Sequence, residues 1–375
     1  MDQTLLCQLD NAGLVFPGDP QQRAVLHDLS WAIHKGEHTV LIGKNGAGKT
    51  TLLRIIRGEA WVTQGTCSWQ DSDGSMTTSR IIGQAVTAMV SPSQQEYFQR
   101  SARGLNGKEL LLTGFDGTPM LYTQPDSKRE ELAEAMACEL DCVHLLKRNV
   151  TEISQGQLRI LLLARAMLRQ PSLLLLDECS DGLDARHREL FAASLKKLSE
   201  SSTIIMTTHR ASFLPDWITN TLYLDNGSLS TVPPAATKDV QAAAPIEIHS
   251  GDVPAHEEAV PLVEVENATV YLNGRPVLHD ISWQLCRGER WLLRGENGSG
   301  KSTFLHMLAS DVPVAWPGRI TFNLPQDDSI PFASIRRRIR LVSDTNQALY
   351  EYDVTCLELV LSGLENSVGI YREFS

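Results

Sequence analysis

A chain of 375 residues is long for one ordinary domain and suits two. Its formal net charge of −11 at pH 7 argues against nucleic acid as the main partner, because that polyanion is held chiefly through Lys and Arg. The 42% of hydrophobic residues can fill packed cores, yet no apolar run reaches the roughly 20 residues that cross a bilayer.

In chain order, Met1 to Asp10 lacks the basic flank and long apolar stretch of a signal peptide. Thr39 to Ile42 reads as a short apolar strand, and Thr50 to Ile56 opens a helix. Between them lies Gly43-Lys44-Asn45-Gly46-Ala47-Gly48-Lys49-Thr50-Thr51, a match to G-x-x-x-x-G-K-[ST]. Such a loop needs glycine because backbone N–H groups must converge on phosphate oxygens, and the helix that follows adds partial positive charge. Lys49 is expected to reach the β- and γ-phosphates, and Thr50 to place its hydroxyl on Mg²⁺. Cys138 and Cys142 fall four apart in a helical stretch and suggest packing, since no Cys-x-x-Cys pair or zinc ligand set occurs. Seven cysteines without a paired framework suit a reducing cytosol.

Ser154 is a candidate N-cap for a helical pattern over Leu158 to Leu168. Leu173 to Leu176 reads as a fully buried strand that ends in Asp177 and Glu178. Neighbouring residues at a strand end point in different directions, so two carboxylates there can divide two tasks. Asp177 is assigned to Mg²⁺ and Glu178 to general-base work on an attacking water. Glu189 to Leu198 is amphipathic, Thr203 to Thr207 is a second buried strand, and His209 follows it. The alternation predicts an α/β layered core.

Residues 231–260 are rich in Pro and Ala, acidic, and without hydrophobic period, as in an extended linker between domains spanning 1–230 and 261–375. An internal repeat then begins: Val25-Leu26-His27-Asp28-Leu29-Ser30-Trp31 returns as Val277-Leu278-His279-Asp280-Ile281-Ser282-Trp283. Each copy leads through Gly-Glu and an apolar strand into a phosphate loop. The second loop is Gly295-Glu296-Asn297-Gly298-Ser299-Gly300-Lys301-Ser302-Thr303, with Lys301 and Ser302 in the roles of Lys49 and Thr50. Arg336-Arg337-Arg338 is a local basic run, most simply a solvated flank.

These parts together resemble the P-loop NTPase fold of ABC-type ATPases, in two tandem copies. The segment that carries the resemblance is Ile153-Ser154-Gln155-Gly156-Gln157-Leu158-Arg159, close to the signature L-S-G-G-Q. The resemblance implies that Ser154, Gly156 and Gln157 meet the γ-phosphate of ATP held by an opposing domain. Ser180-Asp181-Gly182-Leu183-Asp184 is similar to the loop that contacts that domain, and His209 to the switch histidine. Either Gln94 or Gln95 fills the place of the glutamine that follows the next strand, and Phe16 and Tyr271 that of the adenine-stacking aromatic. ATP and Mg²⁺ are the implied ligands, Gly43, Asn45, Gly46, Gly48, Thr51, Gly295, Asn297, Gly298, Gly300 and Thr303 joining the residues named above. Implied partners are another ABC domain and a membrane transporter subunit, which places the chain in the cytoplasm or peripherally on the inner face of the cell membrane.

Among branches, Val342-Ser343, Leu359-Val360-Leu361-Ser362-Gly363 and Ser367-Val368-Gly369-Ile370-Tyr371 resemble the second domain of the ModF-type molybdenum-transport ATP-binding proteins. The ABC-F ribosome factors share the domain count but have long, charged, helical linkers. The second phosphate loop is not followed by a signature, carboxylate pair or histidine before Ser375, so a shortened second domain is expected. Pairing the halves within one chain then leaves both nucleotide sites incomplete, and two chains are expected to pair through domain one. An ATP-binding regulator or remnant with little turnover is the alternative.

Overall fold

The computed structural model describes residues 4–15, 24–101, 104–122, 124–180, 183, 185–209, 215–233, 261–272, 274–295, 299–323, 338–342 and 354–365. The chain divides into two compact units, Met1–Pro245 and Ile246–Ser375.

Unit 1 is built on two sheets. β1 (Leu5–Val15), β2 (Ala24–His34), β4 (Gln64–Gln70) and β5 (Met76–Thr77) form an antiparallel sheet in the order β2-β1-β4-β5. β3 (Thr39–Ile42), β6 (Thr87–Val90), β7 (Leu173–Leu176), β8 (Thr203–Thr208), β9 (Asn220–Asp225) and β10 (Ser228–Ser230) form the second, ordered β10-β9-β3-β8-β7-β6. Its strands from β9 to β6 run parallel.

The apolar runs of the parallel strands follow from being covered on both faces. Leu174 and Leu176 of β7 enter one core with Val40, Ile204 and Met206; Leu173 and Leu175 enter the other with Leu41 and Ile205. The first core is closed by α3 (Pro92–Ser101), α4 (Gly107–Asp116), α5 (Ser127–Glu139), α6 (Gln155–Met167) and α7 (Ala185–Leu198). The second is closed by the antiparallel sheet, with α1 (Lys49–Ile56) and the short α2 (Arg80–Val86). Ser154 does cap α6. Gln157 N–H donates to Ser154 Oγ and Ser154 N–H to Gln157 Oε1, both at 3.3 Å, a reciprocal capping box. Of the two cysteines expected to pack, Cys142 does, and burial pushes its thiol up to about 12; Cys138 lies exposed on α5 and does not.

Unit 2 repeats part of this plan. β11 (Val263–Leu272) pairs antiparallel with β12 (Arg275–Leu285) and β13 (Arg319–Phe322), and α8 (Lys301–Leu308) follows the second phosphate loop. A further helix, α9 (Cys356–Glu365), ends the described residues. Paired positive φ values mark the correspondence, 46° at Asn11 against 48° at Asn267, and 44° at Asp28 against 48° at Asp280. The same register aligns Tyr271 with Val15, because Asn11 and Asn267 are each followed four residues on by these two. Phe16 lies outside the described residues, and Tyr271 is 53% exposed at the end of β11.

One sequence expectation fails here. The apolar segment before the second phosphate loop, Trp291 to Arg294, is not a strand, and Trp291, Leu292 and Leu293 are exposed. A strand needs neighbours for its backbone groups. In unit 1, β3 takes them from β8 and β9; no strand lies beside 291–294 among the described residues of unit 2. No described helix is long and apolar enough to cross a membrane.

Candidate functional site

The site of unit 1 forms where β3, β7 and β8 end side by side. The loop after β3 wraps Lys49, which is only 4% exposed. Its Nζ donates to Gly43 O at 2.8 Å and Lys44 O at 3.1 Å. Gly48 enters α1 with φ 100°, and a Cβ there would stand 2.8 Å from Leu26 Cδ2, so the loop cannot carry a side chain at that point. Gly300 repeats this with φ 92° and a Cβ position 2.8 Å from Leu278 Cδ2, and Lys301 Nζ donates to Gly295 O at 2.8 Å. Ser302 and Thr303 open α8 as Thr50 and Thr51 open α1. Asn297 and Gly298 lie outside the described residues.

At the end of β7 the two carboxylates diverge, as their adjacency predicts. Asp177 is buried, accepting from Thr50 Oγ1 at 2.7 Å and from Thr207 Oγ1 at 2.8 Å. Glu178 turns outward with φ 47° and pairs with Lys49, Oε1 to Nζ 3.1 Å. A left-handed conformation costs a non-glycine residue about 1–3 kcal/mol and persists only where the surroundings impose it. Val25, Asn45, Gly46, Gly48, Lys49, Thr50, Thr51 and Glu178 line a cavity of about 280 Å³ at this point. The first loop, both carboxylates and α1 thus meet in one place. His209 follows β8 directly and is exposed. Asp181, Gly182 and Asp184 of the segment after the carboxylates lie outside the described residues, as does Tyr371.

Thr207 is the residue that sequence reading missed. The β7–β8 register pairs Leu176 with Met206, so the next residues, Asp177 and Thr207, fall together. The fully buried Thr207 hydroxyl donates to Asp177 and accepts from Glu178 N–H at 3.0 Å, joining the two carboxylate residues. The only available signal was a polar residue inside an apolar strand. Thr207→Val keeps the shape and leaves a buried carboxylate oxygen and an N–H unpaired. It is expected to destabilise unit 1 by about 1–3 kcal/mol, read as a lower urea midpoint that Thr207→Ser restores.

The two glutamines left open by the sequence separate clearly. Gln95 is buried and accepts from Arg159 Nε at 3.0 Å, whereas Gln94 is half-buried beside a cavity lined by Arg57, Tyr97, Arg165 and Arg169. Burial and the neighbouring Arg57 and Arg169 hold Arg165 down at about 10.

The donor set fits a nucleotide with a hard cation. Hydroxyl and carboxylate oxygens 2.7 Å apart, at Thr50 and Asp177, suit Mg²⁺, which prefers few protein oxygens beside phosphate. Among the described residues no cluster of three or more His, Cys, Asp or Glu exists that would suggest another metal.

Comparison with known proteins agrees with this geometry. A family model described as ABC transporter matches residues 26–181 and 278–358, more than half of the chain. The ABC transporter ATP-binding protein ModF of Escherichia coli (strain K12) is 28% identical over 92% of this chain and 71% of its own length. An uncharacterized ABC transporter ATP-binding protein of Schizosaccharomyces pombe is 27% identical over 92% of this chain and 73% of its own. In fold, an ATP-binding cassette of an ABC transporter in its ADP conformation matches 60% of this chain and 89% of that one, with TM-score 0.52 and 20% identity. With the phosphate loop, the carboxylate pair and the capped signature helix in one unit, the chain belongs to the ABC transporter family, as an ATP-binding and ATP-hydrolysing member.

Proposed function

We propose that unit 1 hydrolyses ATP with Lys49, Thr50, Asp177 and Glu178 as its working residues, in a ModF-like protein of two ABC domains, 1–230 and 261–375, joined through 231–260. The convergence of Lys49, Thr50 and Glu178 on one cavity, with Asp177 bonded to Thr50, carries this reading. Backbone N–H groups from Gly43 to Thr51 and the α1 N-terminus bind the phosphates, and Lys49 adds a positive charge. The same elements at Gly295, Asn297, Gly298, Gly300, Lys301, Ser302 and Thr303 make a second nucleotide loop. Thr50 and Asp177 would hold Mg²⁺, with Ser302 its counterpart in unit 2; the cation neutralises charge on the phosphates when bound. Glu178 orients and deprotonates the attacking water, and His209 approaches the terminal phosphate.

The N-terminus of α6, with Ser154, Gly156 and Gln157, serves ATP held by a second ABC domain, most simply unit 1 of another copy. One of the solved structures with this fold is described as a dimeric bacterial ABC transporter cassette. Ser154→Arg fills the helix N-terminus with a bulky cation and is expected to abolish ATP-driven dimerisation, followed by light scattering on a Glu178→Gln background. Unaltered dimerisation removes this pairing. The link to molybdenum transport rests on the ModF likeness. It predicts that the chain co-purifies with a membrane subunit of an oxyanion importer from cytoplasmic membranes, and recovery with ribosomes instead favours the ABC-F reading.

A further inference from the structure

Arg159 lies on α6 as the last residue of the segment that resembles the signature and is 7% exposed, although its guanidinium carries a full charge. A buried charge persists only where its donors find acceptors. Nε–H donates to the Gln95 side chain at 3.0 Å, and Nη1 donates to the carbonyl of Cys179 at 2.5 Å. Gln95 is itself 6% exposed and belongs to α3. Arg159 therefore ties three segments together: α6, α3 and the turn that carries the carboxylates.

That turn is strained at one residue. Cys179 directly follows Glu178, whose φ is 47°. Fixed points surround the strained peptide. Before it, Asp177 N–H donates to Val90 O at 2.9 Å. At Glu178, the N–H donates to Thr207 Oγ1. After it, the Cys179 thiol donates to Val90 O at 3.2 Å, and Arg159 grips the Cys179 carbonyl. A thiol is a weak donor, and the charge-assisted bond from Arg159 is stronger than the thiol's bond to Val90 O. The bond from Arg159 fixes the Cys179–Ser180 peptide, the far end of the turn; without it the turn can relax, Glu178 can leave its left-handed conformation, and the carboxylate swings from its place beside Lys49.

We propose that Arg159 is a positioning residue for Glu178. By clamping the Cys179 carbonyl, with Gln95 as its own anchor, it holds the general base in its left-handed conformation at the mouth of the phosphate loop. A general base works only within hydrogen-bond reach of its proton, and a displacement of about 1 Å can cost on the order of 100-fold in rate. The proposal rests on the assignment of Glu178 as the base.

The test uses the full chain with Arg159→Met, which keeps the apolar stem and removes the donors, and Arg159→Lys, which keeps the charge and one donor group. In Mg²⁺-ATPase assays Arg159→Met is expected to lower kcat by about 10- to 100-fold with KM for ATP unchanged within about twofold, and Arg159→Lys to recover part of the loss. On a Glu178→Gln background Arg159→Met should add no further loss, because it acts through Glu178. Hydrogen exchange supplies a readout independent of turnover. Uptake should rise in peptides spanning 176–180 and stay unchanged over β3 and α1. A wild-type chain that binds ATP without turning it over defeats the hydrolysis reading, and exchange then still decides the clamp. Should Arg159→Met fail to fold, Gln95→Leu removes the anchor of Arg159 Nε, and the readout is then hydrogen exchange at 176–180, which is expected to rise by a smaller amount and which a direct role of Gln95 at the nucleotide would not move. Normal kcat, unchanged uptake at 176–180, or uptake raised across all of unit 1 overturns the proposal.

Discussion

Glu178→Gln is expected to lower ATP turnover by about 10²- to 10⁴-fold, the usual contribution of a placed general base, while ATP stays bound. Glutamine keeps the size and one acceptor oxygen but cannot take a proton at neutral pH. In the structure Glu178 pairs with Lys49 at 3.1 Å, the same ammonium proposed to meet phosphate. A carboxylate at that point competes with phosphate for the lysine and repels its charge. Removing it should leave ATP affinity equal or higher, so that kcat falls without a rise in Kd. The decisive measurement is steady-state Mg²⁺-ATPase activity of both chains across protein concentration, beside nucleotide binding by equilibrium dialysis. Activity that rises more than proportionally with concentration supports pairing between copies of unit 1. Turnover retained in the variant removes Glu178 from the chemistry.

Lys49→Ala should weaken ATP binding at the first loop about 10- to 100-fold and abolish turnover. The lysine is almost fully buried and already aimed by Gly43 O and Lys44 O, so little is spent in ordering it when phosphate arrives. Each charge-assisted hydrogen bond lost is worth about 1.5–3 kcal/mol, which sets that range. Lys301→Ala is the internal comparison. Lys301 makes the same bond to Gly295 O, yet Asp177 and Glu178 stand beside the first loop. Turnover should therefore survive Lys301→Ala and vanish with Lys49→Ala, as binding at each site is lost separately in titrations of a fluorescent ATP analogue. Equal loss of turnover in both variants removes the assignment of hydrolysis to unit 1.

Both matches to the phosphate-loop pattern, the carboxylate pair and the segment that resembles the signature were visible in the sequence because each is contiguous. The glycines, lysine and hydroxyl of a phosphate loop lie within nine residues, and their geometry is local to a turn and the first turn of a helix. The same holds for the capping box, where Ser154 and Gln157 are three residues apart. The unbroken apolar runs at Thr39–Ile42 and Leu173–Leu176 were readable as strands because both faces of the parallel sheet are covered.

The misreading at Trp291 to Arg294 shows the limit of that logic. Its composition suits a buried strand as well as that of β3 does, but a strand exists only beside others. β3 borrows its neighbours from segments more than 160 residues later in the chain, and no pattern inside four residues records whether such neighbours are present. The adenine-side aromatics are not equivalent positions of the repeat. Phe16 stands 27 residues before Gly43 and Tyr271 24 before Gly295, and strand register aligns Tyr271 with Val15.

The sequence by itself thus determined the class of the protein, the two loops that match the phosphate-loop pattern and the adjacency of Asp177 and Glu178 at a strand end, since these depend on residue type and short-range spacing. Tertiary structure alone decided what holds that pair in place. Thr207 reaches Asp177 through strand register, and Arg159 reaches Cys179 and Gln95 through helix packing; such contacts join residues far apart in the chain, and only the closing of the sheet and its covering helices brings them within bonding distance.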